Sequence, residues 1–215
     1  MSDLHCETIT FPSSDGRHTS SAVLYTMQDK PVRAVIQLSH GMCEYVRRYA
    51  PMAEFYAAHG IALAGNDHLG HGDTAKAGEH GHYGEPDGRL HLLNDLHTMN
   101  GLLHERFPDT PIYVQSITPT TQEYGEKKPQ LEREHLKLIN NAIAKLAVSK
   151  GLYYVDLWEV MADENGYLRA DLAGSDGLHL LDGSKYRPWL DYLAAHTIYS
   201  AHNAQFALAD GGAYR

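Results

Sequence analysis

Pro111-Ile112-Tyr113-Val114-Gln115-Ser116-Ile117 is a short apolar run, rich in β-branched and aromatic residues, set between a helix-like segment ending at Phe107-Pro108 and a loop opened by Thr118-Pro119. That composition predicts a buried strand over 112–117. Such a strand needs neighbours, and the segments on either side supply them. Residues 5–11 and 20–27 are β-prone runs joined by the turn-rich Ser13-Ser14-Asp15-Gly16-Arg17, so they predict a hairpin at one edge of a sheet. Ala34–Ser39 is a mostly apolar run emptying into His40-Gly41, as a buried parallel strand does at a functional loop.

A helix is expected over 49–59, stopped by Gly60, followed by a strand over 61–65 and a long polar, Gly- and His-rich loop over 66–89. The segment 90–107 reads as an amphipathic helix with Leu92, Leu93, Leu96, Met99, Leu103 and Phe107 near one face. Beyond 112–117 come a helix over 130–150 with the stripe Leu131, Leu138, Ile139, Ala142, Ile143, Leu146 and Ala147, a strand over 152–157 and a last helix over 185–199. Residues 200–215 are small and polar without periodicity, which predicts a poorly ordered tail. Strands alternating with helices predict an α/β fold: a three-layer α/β/α sandwich with a mainly parallel sheet, formed by residues 1–199 as one domain. Sites in such folds lie beyond the carboxyl ends of the strands, which directs attention to the segments after Leu38, Gly65, Gln115 and Leu157.

Length and composition fit a soluble domain. At 215 residues, 43% hydrophobic and 21% charged, the chain can bury a substantial core. Its net charge of −9, with no local run of Lys or Arg, argues against a nucleic-acid or anionic-membrane surface. Cys6 and Cys43 form no disulfide framework and suit a reducing, cytoplasmic setting. The stretch at 1–5 lacks the features of a secretion signal, and no apolar run reaches the roughly 18 residues a membrane span needs.

Three ordered motifs carry a family resemblance. They are Leu38-Ser39-His40-Gly41-Met42-Cys43-Glu44-Tyr45 with Arg48-Tyr49, then Asn66-Asp67-His68-Leu69-Gly70-His71-Gly72, then Asn94-Asp95-Leu96 leading to Phe107-Pro108-Asp109-Thr110-Pro111. Over about residues 8–114 the chain resembles the lysophospholipase and monoglyceride-lipase group of α/β-hydrolases. The resemblance implies that the His-Gly turn helps form an oxyanion hole, with Gly41 and the backbone N–H near Met42 facing developing negative charge. It also implies a Gly-x-Ser-x-Gly elbow after the 112–115 strand, because Gly neighbours permit the strained turn that exposes the Ser. This chain has Gln115-Ser116-Ile117-Thr118-Pro119 there, with Val114 and Thr118 two residues either side of Ser116. The elbow is missing.

From about 107 to 199 the chain resembles a different family, the SGNH (GDSL-type) esterases. The residues that carry this are Ile112–Thr120, the strand end Tyr154-Val155-Asp156-Leu157, and Ser175-Asp176-Gly177-Leu178-His179-Leu180 before the last helix. In that family an Asp-x-x-His pair supplies base and carboxylate, which assigns those roles to His179 and Asp176. The family's nucleophile turn and its Gly and Asn oxyanion donors have no clear counterpart, Gly65-Asn66-Asp67 being a faint match that brings Asn66 into consideration. The two resemblances predict a chimera, natural or engineered, joined inside residues 95–115, with halves 1–111 and 112–199.

The candidates follow. His179 and Asp176 are the base and its orienting carboxylate, and Ser116 and Ser39 are candidate nucleophiles, Ser39 because it ends the strand expected in the place of the Ser-bearing strand of the second family. Gly41, Met42 and Asn66 are the oxyanion and pocket candidates. Asp-x-x-His is a weak signal alone: with 15 His in the chain one such spacing is expected by chance, and Asp15-Gly16-Arg17-His18 is another. Three functions are consistent with these residues: a hydrolase of small acyl esters needing no cofactor, a catalytically silent chimeric scaffold, or a metal-binding protein using His68, His71, His80 and His82 with Asp67 and Asp73.

Overall fold

The computed structural model describes residues 4–41, 43–84 and 86–196. The chain divides into two compact units, Met1–Thr110 and Pro111–Arg215.

The first unit is built on a four-stranded sheet in the order β1-β2-β4-β3. Strands β1 (Leu4–Pro12) and β2 (Thr19–Met27) form the expected antiparallel hairpin, with β1 at the edge. β2 then pairs antiparallel with β4 (Ile61–Asn66), and β4 pairs parallel with β3 (Ala34–Leu38). Because successive side chains in a strand point to opposite faces, β2 and β4 feed two cores. Ala22, Leu24, Ala62 and Ala64 pack with Met99 and Leu103 of helix α2 (Gly88–Arg106) on one side. Val23, Tyr25 and Leu63 pack with Ala53 of helix α1 (Ala50–Ala58) and with Val46 on the other. Three layers result within this unit. At the turn of the hairpin, buried Asp95 of α2 accepts from the Ser13 hydroxyl at 2.6 Å and the Ser14 amide at 2.7 Å. The apolar face expected of α2 is realised at Met99 and Leu103, whereas Leu93 is 53% exposed.

The second unit contains the parallel pair β5 (Tyr113–Gln115) and β6 (Tyr153–Val155), with helices α3 (Gln122–Lys127), α4 (Arg133–Ser149), α5 (Trp158–Met161) and α6 (Arg187–His196). Its core gathers Val155, Leu157, Met161, Leu168, Leu172 and Tyr192.

The α/β class expected from the alternation holds, but the sheet is mixed rather than mainly parallel, and β5 and β6 form a separate ladder among the described residues. Beyond the end of β5, buried Asn140 of α4 accepts the Ile117 amide at 2.7 Å and donates to the Ile117 carbonyl at 2.9 Å, so a side chain satisfies the backbone there. The expected strand over 112–117 therefore stops at Gln115. The same contact orients α4. Its buried face is Leu136, Asn140, Ala144 and Ala147, and of the expected stripe Leu138 and Leu146 are 70% and 57% exposed. The expected last helix ends, as described, at His196; the tail at 200–215 lies outside the described residues.

Candidate active site

In the first unit the carboxyl ends of the parallel neighbours β3 and β4 bring two of the sequence motifs together. Leu38 pairs with Gly65 in the ladder, so Ser39-His40-Gly41 and Asp67–Gly72 leave the sheet side by side. The second loop is shaped from within by Asp67, whose carboxylate accepts the Val46 amide at 2.7 Å and the Asp73 amide at 2.8 Å. Gly70 and Gly72 both have positive φ, and a Cβ on Gly72 would lie 2.0 Å from Asp67 Oδ2 while one on Gly70 would lie 2.0 Å from the His82 carbonyl. Only glycine fits both positions.

His40, His68 and His71 are all at least 95% buried and pack as a cluster, with ring centroids 4.0 Å apart for His40–His68 and 5.3 Å for His40–His71. His40 Nδ1 lies 2.9 Å from the Gly41 carbonyl and its Nε2 accepts the His68 amide at 3.0 Å. One tautomer satisfies both contacts: neutral, with the proton on Nδ1. Burial pushes the His40 pKa down, consistent with that neutral form. His71 Nδ1 donates to the Leu69 carbonyl at 2.8 Å, and its Nε2 is buried without a hydrogen bond.

His68 Nε2 lies 3.1 Å from Oγ of Ser39, while its Nδ1 is buried without a partner. Burial, then the neighbouring His40, pushes its pKa down to about 4, so the ring is neutral at pH 7. Ser39 itself is exposed. With its proton on Nδ1, His68 would accept from the Ser39 hydroxyl, which is the arrangement a serine nucleophile and its base require. The spacing of His68 from Ser39 in sequence gives no hint of it. The signal that finds it is topological: two adjacent parallel strands put the residues after their carboxyl ends within reach of each other.

The oxyanion candidates are placed as follows. The Gly41 amide donates to Glu44 Oε2 at 3.2 Å, and the same oxygen accepts from the Tyr49 hydroxyl. A carboxylate there opposes a developing oxyanion. Asn66 is fully buried, donating to the Ser20 hydroxyl at 3.4 Å. Met42 lies outside the described residues.

In the second unit Ser116 is 5% exposed, and its Oγ accepts the Leu157 amide at 2.9 Å while its own amide donates to Val155. Its hydroxyl joins the ends of β5 and β6. Asp176 Oδ2 meets His179 Nδ1 at 2.6 Å, and Asp176 Oδ1 accepts the amides of Leu178 and His179. These contacts, the imidazole first, hold the Asp176 carboxyl at about 2. The His179 side chain is 76% exposed, and no described residue bonds its Nε2. Near the ends of β5 and β6, buried Trp158 donates to the Ile117 carbonyl at 2.7 Å, and half-buried Tyr153 stacks on Tyr113.

Of the His-rich loop, His68 and His71 are in the buried cluster, and His80 and His82 are exposed. Among the described residues no three His, Cys, Asp or Glu side chains are arranged to hold a metal ion. His82, with Asp15, Arg17, His18, Glu79 and His91, lines a cavity of about 240 Å³ in the first unit.

Residues 30–117, less than half of the chain, match the family described as serine aminopeptidase, S33. No curated protein matches the sequence. Among solved structures the chain is similar to a thermostable carboxyl esterase from Bacillus coagulans, at 21% identity over 74% of this chain and 54% of that one, with a TM-score of 0.41. It is similar to a lipase in its open form, at 24% identity over 66% of this chain and 40% of that one, with a TM-score of 0.45. A soluble variant of monoglyceride lipase from Saccharomyces cerevisiae matches at 17% identity over 94% of this chain and 72% of that one, with a TM-score of 0.42. The chain spans about half the length of the carboxyl esterase and the lipase.

Proposed function

We propose that the chain is a serine hydrolase by descent, acting on small carboxylic esters without a cofactor, and that its turnover is weak or lost. The observation that carries this reading is the meeting of Ser39-His40-Gly41 with Asp67–Gly72 at the carboxyl ends of β3 and β4. Those are the motifs that carry the hydrolase resemblance, and they fall within the residues matching the S33 family. Three features support weak or lost turnover. The Gly-x-Ser-x-Gly elbow is missing, the Ser116 hydroxyl is taken up by Leu157, and the Gly41 amide is taken up by Glu44.

Descent from two hydrolase families, an S33-like one for 1–111 and an SGNH-like one for 112–199, is part of the proposal. The boundary of the compact units at Thr110–Pro111, inside the expected join at 95–115, supports it, as does the end of the family match at residue 117. Under this reading His179 and Asp176 are a base and carboxylate inherited by the second unit. The free, exposed thiols of Cys6 and Cys43 support a reducing, cytoplasmic setting. No described helix is long and apolar enough to cross a membrane. Folded protein is expected to react with a fluorophosphonate probe and to hydrolyse p-nitrophenyl acetate slowly; the absence of both on protein with a cooperative melt overturns the hydrolase reading in favour of a silent scaffold.

A further inference from the structure

We infer that Ser39 is the acyl acceptor of this chain and that His68, not His179, is its base. The inference rests on the hydrolase reading and deepens it by placing the reacting pair wholly within the first unit. Ser39 is exposed and follows directly on β3, so an ester carbonyl can approach its Oγ from solvent. His68 is 2% exposed, with Nε2 3.1 Å from that oxygen, inside the range for a nucleophile and its base. Its ring is fixed by packing rather than by a carboxylate. His40 lies against it at 4.0 Å, His71 and Tyr83 flank it at 6.5 Å, and its backbone amide is tied to His40 Nε2.

The step balances on these two residues. With the His68 proton on Nδ1, Nε2 offers a lone pair to the Ser39 hydroxyl. Ser39 Oγ attacks the ester carbonyl carbon as its proton passes to Nε2, and the carbonyl electron pair moves onto oxygen. Collapse of that adduct breaks the bond to the alkoxy oxygen, which leaves with the Nε2 proton as the alcohol. Ser39 is then acylated, and water attacking the acyl carbon with His68 again as base releases the acid. Two features slow the cycle. A strongly buried imidazole is a weak base, and the Gly41 amide, two residues on from Ser39, is already engaged by Glu44.

The groups facing His68 are Ser39 and His40 from the end of β3, and His71 and Tyr83 from the loop after β4. None of these is a carboxylate that would stabilise its protonated form. The base is therefore neutral across the ordinary working range, which separates it from an imidazole of ordinary pKa.

The test is fluorophosphonate labelling of the full chain, with the modified peptide identified by mass spectrometry, in wild type, Ser39→Ala and His68→Gln, and as a function of pH. The label is expected on Ser39. Ser39→Ala removes it, and His68→Gln slows it about 100-fold, the scale of a lost general base. Should His68→Gln fail to fold, the wild-type pH profile decides: a His68 base gives a rate constant to within about 2-fold from pH 5 to 8, whereas a base of ordinary imidazole pKa gives a rise of about 30-fold. A label on another serine, unchanged labelling in Ser39→Ala, or that 30-fold rise overturns the assignment while leaving the hydrolase reading standing. No labelling of any serine overturns the assignment, and with no hydrolysis of p-nitrophenyl acetate it overturns the hydrolase reading as well.

Discussion

In the turn Asp15-Gly16-Arg17-His18 the carboxylate accepts the Arg17 and His18 amides at 2.8 and 2.9 Å through Oδ1 and meets His18 Nδ1 through Oδ2 at 2.5 Å. In Asp176-Gly177-Leu178-His179 the corresponding distances are 3.0, 2.9 and 2.6 Å, and both glycines have positive φ, +67° and +74°. The Asp-Gly-x-His sequence writes the carboxylate–imidazole pair by itself, because the aspartate caps the amides two and three residues on and the turn carries the ring back to the other oxygen. What differs is the surroundings. His18 has a side chain 13% exposed and a second carboxylate, Glu79, 2.7 Å from Nε2, whereas His179 stands 76% exposed. A base-and-carboxylate geometry is thus a property of the turn, and the environment of Nε2 decides what the pair can do.

The largest expected difference between the two turns lies at their glycines. A Cβ on Gly16 meets nothing within 4 Å, while one on Gly177 would lie 2.3 Å from Thr121 Oγ1, the hydroxyl that caps α3. Gly16→Ala is expected to cost the strain of a left-handed residue, about 1–2 kcal/mol. Gly177→Ala adds overpacking, about 1–3 kcal/mol more. Equal melting shifts for the two variants would show that the turn at 176–179 is less tightly seated than its contacts imply.

Next in size is the loss of His18, whose ring links Asp15 at the hairpin turn to Glu79 in the loop after β4. His18→Ala is expected to cost about 1.5–3 kcal/mol, the range for hydrogen bonds to charged partners. For a chain of this size that is a fall of about 3–12 °C in melting temperature. A calorimetric shift no larger than that of an ordinary surface substitution would remove the contrast between the two histidines.

A smaller effect carries a sign. The Asp15 contact first, then Glu79, raises the His18 pKa above its ordinary 6.5. Its stabilisation is therefore fully present below about pH 6.5 and lost as pH rises through the raised value. On the acid side, burial works against Asp15, but the amides of Arg17 and His18 and the His18 ring hold its carboxyl at about 2, so that contribution is present above 3.8 and lost as pH falls toward 2. Melting temperature is expected to decline from pH 6.5 to 9 in wild type, and less steeply in His18→Gln. Identical slopes would mean that the His18 bridge contributes nothing in that window.

Much of this contrast was open to sequence reasoning, and the rest was hidden for identifiable reasons. The hairpin, β3, β4, α2 and α4 emerge from periodicity and turn residues because each is encoded locally. The end of β5 at Gln115 is not, since Ile117 is held instead by Asn140, 23 residues away. The stripe expected of α4 holds at Ala147 and fails at Leu138 and Leu146, which repeat at helical spacing but are exposed because the buried face runs through the polar Asn140. At the site, the Asp-x-x-His spacing could be read but not weighed, because the same turn occurs twice. The Ser39–His68 contact was invisible to spacing altogether, and only the parallel register of β3 and β4 creates it.

The smallest expected effect is the most discriminating. His179 is exposed, and the one polar partner its ring has among the described residues is Asp176, itself held by two backbone amides of the same turn. Removing the ring leaves that backbone capping intact, so His179→Ala is expected to move the melting temperature by no more than about 2 °C, as a surface substitution does. It is also expected to leave fluorophosphonate labelling of Ser39 unchanged, because the base for that hydroxyl lies in its own unit at 3.1 Å. If labelling instead falls tenfold or more while the melt is preserved, the two Asp-Gly-x-His turns differ in chemistry as well as in surroundings. His179 would then be an acting base, and the Ser39–His68 pair would be a structural contact.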